Sequence, residues 1–85
     1  MRIYLQTSPN IDGNPRYSHL FLQEDLIEGW TLVKENGIQG SSGKITRTHF
    51  INHDQALKAL IEARDTQIKR GYHVVFMRGE QAPAR

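Results

Sequence analysis

Residues 44–77, KITRTHFINHDQALKALIEARDTQIKRGYHVVFM, set the fold, because the hydrophobic period changes twice within them. Lys44 to Ile51 is rich in β-branched side chains (Ile45, Thr46, Thr48 and Ile51), which fit a pleated strand. From Asn52 the period lengthens. Ala56, Leu57, Leu60, Ile61, Arg64 and Ile68 recur three and four residues apart, as on a helix with one apolar stripe. Asn52 suits the N-cap and Gln55 completes a capping box, with Phe50 and Ile51 ahead of it as staple partners. Asp54 in the first turn and Lys69 and Arg70 in the last each oppose the helix dipole, and Gly71 suits the left-handed residue beyond the end. The spacing therefore predicts a helix from Asn52 to Arg70, with Tyr72 to Met77 as a closing strand.

Outward from this core the chain reads as strands. Arg2 to Gln6 alternates, with Ile3 and Leu5 on one side and Tyr4 and Gln6 on the other. Residues 7–15 hold Ser8-Pro9-Asn10 and Asp12-Gly13-Asn14-Pro15, which is turn chemistry. A second strand covers Arg16 to Gln23, with Tyr17, His19 and Phe21 on one face and Leu20 and Leu22 on the other, so both faces are expected to be partly covered. A third runs from Trp30 to Lys34 after the loop Glu24 to Gly29, and Trp30 is expected to anchor the core. Asn36-Gly37 then predicts a type I′ turn, or the start of an irregular eight-residue loop through Gly40-Ser41-Ser42-Gly43. The fold class is thus α+β, a small curled antiparallel sheet of four to five strands with one amphipathic helix packed across it. Residues 1–78 form one domain and residues 79–85 a polar tail.

Composition narrows the function. Eighty-five residues hold one domain and one modest core. There is no cysteine, so disulfides, thiolate metal sites and cysteine nucleophiles are excluded. The N-terminal apolar run is too short for a signal segment and no membrane-spanning stretch is present, so a cytoplasmic protein without a membrane partner is expected. The four histidines, His19, His49, His53 and His73, form no recognised ligand spacing. Glu24 and Asp25 are chain neighbours, and Glu62 and Asp65 sit among helix cations, so neither pair reads as a general acid and base. Gly37 to Lys44 ends in Gly-Lys like a phosphate loop but opens onto a strand, without the helix N-terminus such a loop requires. No enzymatic activity and no cofactor or metal are expected.

The formal charge of +2 is too small to steer the whole molecule to nucleic acid, so such a partner needs a local patch. Arg16, Lys34, Lys44 and Arg47 are the candidates for a phosphate-facing edge.

Asn14-Pro15-Arg16-Tyr17, the run Asp25 to Glu35, Gly37, Gly40-Ser41-Ser42-Gly43, Phe50, the helix with Ala56 and Leu60, and Lys69-Arg70-Gly71-Tyr72 resemble a WGR domain over Arg16 to Tyr72. The resemblance implies an antiparallel sheet with a helix across it, and DNA contact of the kind made by DNA-dependent poly(ADP-ribose) polymerases. There the tryptophan of the naming triplet packs against a DNA strand end and the arginine makes interdomain contacts. In this chain the triplet reads Asn36-Gly37-Ile38. Losing one stacking ring costs about 1–3 kcal/mol of nucleic-acid binding. The reading is therefore a non-catalytic binding domain whose weak, salt-dependent contact with a DNA or RNA backbone rests on Arg16, Lys34, Lys44 and Arg47. The alternative is a protein-interaction or self-association domain using Tyr17, Asn36, Gly37 and Ile38.

Overall fold

The structure, a computed structural model, describes residues 1–8 and 13–79. Part of the expected turn, residues 9–12, and most of the expected tail, residues 80–85, lie outside them. The elements are β1 (Arg2–Gln6), β2 (Arg16–Glu24), β3 (Trp30–Ile38), β4 (Lys44–Phe50), α1 (His53–Lys69) and β5 (His73–Arg78). The strands form one antiparallel sheet in the order β4-β3-β2-β1-β5, and α1 packs across it. The α+β class and the strand count are as expected. The closing strand adds to the home sheet beside β1, with a bulge at Val75, which stands between the partners of Leu5 and Tyr4.

Strand partners and every second residue along a strand share a face. Ile3 pairs with Leu20, Leu5 with Ser18, Leu22 with Leu32 and Trp30 with Phe50. Ile3, Leu5, Leu20, Leu22 and Leu32 are buried in one cluster with Ala56 and Leu60 of the helix, so this is the covered face. Trp30 packs against that cluster and meets the His53 ring edge-on at 4.6 Å.

The helix forms for the reasons its caps supply. Asn52 is extended and its Oδ1 accepts from the Gln55 N–H at 2.9 Å, while Gly71 takes φ 101 just past the Arg70 C-cap. The apolar stripe, however, is rotated from the expected one. Ala56, Leu60 and Gln67 are buried and Leu57, Ala59 and Ala63 pack at the edge, while Ile68 is half exposed. Small side chains at Ala59 and Ala63 let the helix backbone approach the sheet, and a stripe chosen by hydrophobicity alone passes over them.

The second difference is at Asn36-Gly37, which continues β3 instead of turning. The reversal comes at Ile38 to Ser41, where the Ser41 N–H donates to the Ile38 carbonyl at 2.9 Å. Gly40, its third residue, has φ 89, the left-handed conformation a type II turn requires there. Gly37 answers a different need. It stands opposite Tyr17, and a Cβ on it would lie 2.9 Å from the Gly43 Cα and 3.0 Å from the Tyr17 ring. Gly37 and Gly43 together leave the slot in which Tyr17 lies. Because one obstacle is backbone, Gly37→Val is expected to destabilise the fold by about 1–3 kcal/mol, as overpacking does. Truncating the ring in the same chain should restore only part of it. Urea denaturation of the two variants checks this, and a neutral Gly37→Val would contradict it.

Candidate nucleic-acid interface

The register distributes the four expected cations over both faces. Lys34 pairs with Leu20, Lys44 with Asn36 and Arg16 with Ile38, all on the helix-bearing side and on adjoining rows. Arg47 pairs with Val33 on the opposite side. Lys44 and Arg47 are an odd number of residues apart on one strand, so they face opposite ways.

Of the three cations that share a side, Lys34 stands where the helix ends. Ser18, Leu20, Lys34, Asn36, Gln67 and Arg70 line a recess of about 210 Å³ there, with Ala63 and Thr66 completing its wall. Arg70 joins the set from outside the expected four. Neither Lys34 nor Arg70 has an acidic partner among the described residues. Arg70 donates to the Gln67 Oε1 at 3.4 Å, and the Gln67 side-chain amide donates to the Asn36 Oδ1 at 3.3 Å. Ser18 is wholly buried, and its hydroxyl has no hydrogen-bond partner among the described residues. The last helix carbonyls are already engaged: Arg70 N–H donates to Thr66 and Gln67, Gly71 N–H to Ile68 and Tyr72 N–H to Gln67. The strand partner of a helix-covered leucine carried no sequence signal for this site; Ser18 and Gln67 become visible only as buried polar residues.

The expected contact set Tyr17, Asn36, Gly37 and Ile38 also divides. Asn36 and Ile38 belong to the helix-bearing side, with Asn36 at the recess and Ile38 half exposed. Tyr17 and Gly37 face the other way.

That other face carries Tyr4, Tyr17, His19, Phe21 and Phe76, and no described element packs over it. Tyr4 and Tyr17 are stacked with centroids 5.9 Å apart and an interplanar angle of 16°. His19 meets Tyr4 edge-on at 5.8 Å and tilts against Phe21 at 5.1 Å. The Arg2 guanidinium lies 4.5 Å over the Phe21 ring and donates to the His19 Nε2 at 2.8 Å. Tyr17 donates to Glu35 at 2.7 Å, and the bond to that carboxylate raises the phenol above its ordinary value.

The loop between β2 and β3 is held by Asp25. Its carboxylate accepts from Thr31 Oγ1 at 2.8 Å and stands 2.9 Å from the His49 Nε2, and its N–H donates to the Gly29 carbonyl. At the tip, Leu26 and Ile27 are fully exposed.

Among the described residues no group of three or more His, Asp or Glu gathers at metal-binding distance, and no helix is long and apolar enough to cross a membrane. No family model matches the chain, and no curated protein or solved structure is found similar to it.

Burial, and then the Arg2 charge, hold the His19 imidazole below its ordinary 6.5, with Glu35 opposing. The Arg2 bond requires an unprotonated Nε2, which places the neutral ring's proton on Nδ1. The folded value is the lower one, so the unfolded chain takes up the proton first as pH falls. The His19 contribution is thus fully present above 6.5 and is lost as pH falls through the depressed folded value. His19→Gln keeps an acceptor for Arg2 and removes the titration. Urea midpoints across this range should fall less on the acid side for the variant; identical pH profiles would contradict the assignment.

Proposed function

We propose that this chain is a non-catalytic binding domain that holds the phosphate backbone of a nucleic acid at the corner where α1 ends over the sheet. The observation that carries this reading is the recess itself, which Lys34 and Arg70, two cations without acidic partners among the described residues, line together with the side-chain amides of Asn36 and Gln67. Lys44 and Arg16 extend the positive surface along adjoining rows. The negative end of the helix dipole opposes an anion here, by about 0.3–1 kcal/mol. One hydrogen bond from a charged donor contributes about 1.5–3 kcal/mol, so two cations outweigh it. The capped carbonyls also leave fewer free acceptors to repel a phosphate oxygen.

The WGR relationship belongs to the same proposal. It is supported by the helix packed across an antiparallel sheet and by Asn36 lining the recess. At the position of the family's tryptophan, Asn36 accepts from Gln67 and keeps its own NH₂ to donate to a phosphate. An amide contact with the backbone would then replace ring packing.

A second reading, a protein-contact domain, is favoured by one separate observation: Leu26 and Ile27 stand fully exposed on a loop that Asp25 fixes. The two readings part in one assay. In anisotropy titrations of a labelled oligonucleotide at several salt concentrations, Lys34→Gln and Arg70→Gln should each weaken binding regardless of sequence and reduce the salt slope by about 1. Serine at both Leu26 and Ile27 should leave the titration unchanged. Absence of binding at low salt, or slopes that Lys34 and Arg70 do not alter, would overturn the backbone reading.

A further inference from the structure

The uncovered face of the sheet holds a second arrangement, independent of the corner. Its side chains fall into rows that cross four or five of the strands. Arg78, Arg2, Phe21, Val33 and Arg47 form one, and Phe76, Tyr4, His19, Glu35 and Ile45 form the next. His73, Gln6, Tyr17 and Gly37 form a third. Four of the chain's seven Phe, Tyr and Trp residues thus lie away from the helix-covered core. In so small a domain, with few large apolar side chains to spare, rings on the wrong side of the sheet call for a use other than core packing.

We propose that this face is a platform on which the unpaired bases of a single-stranded nucleic acid stack. Three features favour that occupant. First, the rings are already ordered: Tyr17 is tied to Glu35, the Tyr4 hydroxyl accepts from Gln39, and Arg2 lies over Phe21. A pre-ordered ring loses little conformational freedom when a base lands on it. Second, the charge fits. Arginines stand at both ends of the first row, while the acid of the three rows, Glu35, is engaged by Tyr17. Rings beside a basic edge are the chemistry of strand binding without sequence preference.

Third, the spacing excludes a stacked duplex. Rows on one face of a sheet are about 6.8 Å apart, two residues of about 3.4 Å each. A duplex strand rises about 3.4 Å per nucleotide, so neighbouring bases reach neighbouring rows only when the strand is drawn out and unpaired. A second copy of the chain laid face to face is disfavoured, because it brings three arginines per copy together against one occupied carboxylate.

The experiment compares a labelled oligothymidylate with a blunt duplex against the full chain and the variants Tyr4→Leu and Phe21→Leu, which keep apolar bulk but remove the π face. Each should weaken oligothymidylate binding by about tenfold or more, as loss of one stacking contact does, and leave duplex binding unchanged. Circular dichroism and melting confirm that each variant is folded; should Tyr4→Leu unfold, the exposed Phe76→Leu replaces it. Undiminished oligothymidylate affinity in folded leucine variants would overturn the proposal. So would self-association that Phe76→Glu abolishes and oligothymidylate does not displace, since the face would then be a dimer interface. Dependence on Lys34 and Arg70 reports the corner alone. A loss confined to Lys34→Gln and Arg70→Gln sinks the platform and keeps the corner, and a loss confined to the leucine variants does the reverse.

Discussion

One helix of 17 residues covers a sheet of five strands, and a helix can cover only one face. It connects β4 to β5, the strands at opposite edges, so its path must cross the sheet, and all the fully buried core side chains lie beneath or on it. Ile3, Leu5, Leu20, Leu22 and Leu32 spend the chain's aliphatic residues on that face. The other face keeps Val33 and Ile45 but is otherwise mostly aromatic and charged. There the side chains order one another through ring contacts, a cation over a ring and a phenol bound to a carboxylate.

The same constraint positions the corner. The helix stops at Gly71, and its last turn, with Gln67 and Arg70, meets Ser18, Lys34 and Asn36 of β2 and β3 at the recess. Had β3 turned at Asn36-Gly37, Asn36 and Lys44 would not be paired and the recess would lose one wall. The strand continues because Tyr17 needs the space over Gly37 and Gly43, so a ring on one face fixes the length of the strand that presents polar groups on the other. Each of the two faces thus sets a limit on its neighbour.

Much of the fold was legible. The Asn52 cap, the Gly71 stop and the alternation in β1 and β2 are local signals, and local geometry obeys them. Asn-Gly was misread because its usual reason, positive φ, is not the reason here; the clearance for Tyr17 depends on a residue twenty positions away. The rotated helix stripe has a similar origin, since alanine is favoured by close approach and not by its own hydrophobicity. Of the site, the opposition of Lys44 and Arg47 follows from parity on one strand. The grouping of Arg16 with Lys34 needs the pairing register, and Arg70 needs the path of the helix. In β2 both faces are apolar, Leu20 and Leu22 against Tyr17, His19 and Phe21, so the sequence could not say which the helix covers.

On these proposals the molecule meets a strand at two separate surfaces, the basic corner and the ring-bearing face, with the core between them. Chemical-shift mapping with an unlabelled oligothymidylate tests this most directly, because it reads every backbone amide and ring at once. The predicted result is two patches, one at Ser18, Lys34, Asn36, Gln67 and Arg70 and one at Tyr4, Tyr17, His19 and Phe21, with Ala56 and Leu60 silent. Perturbations gathered at Leu26 and Ile27, or spread without saturation over the exposed charges, would contradict it.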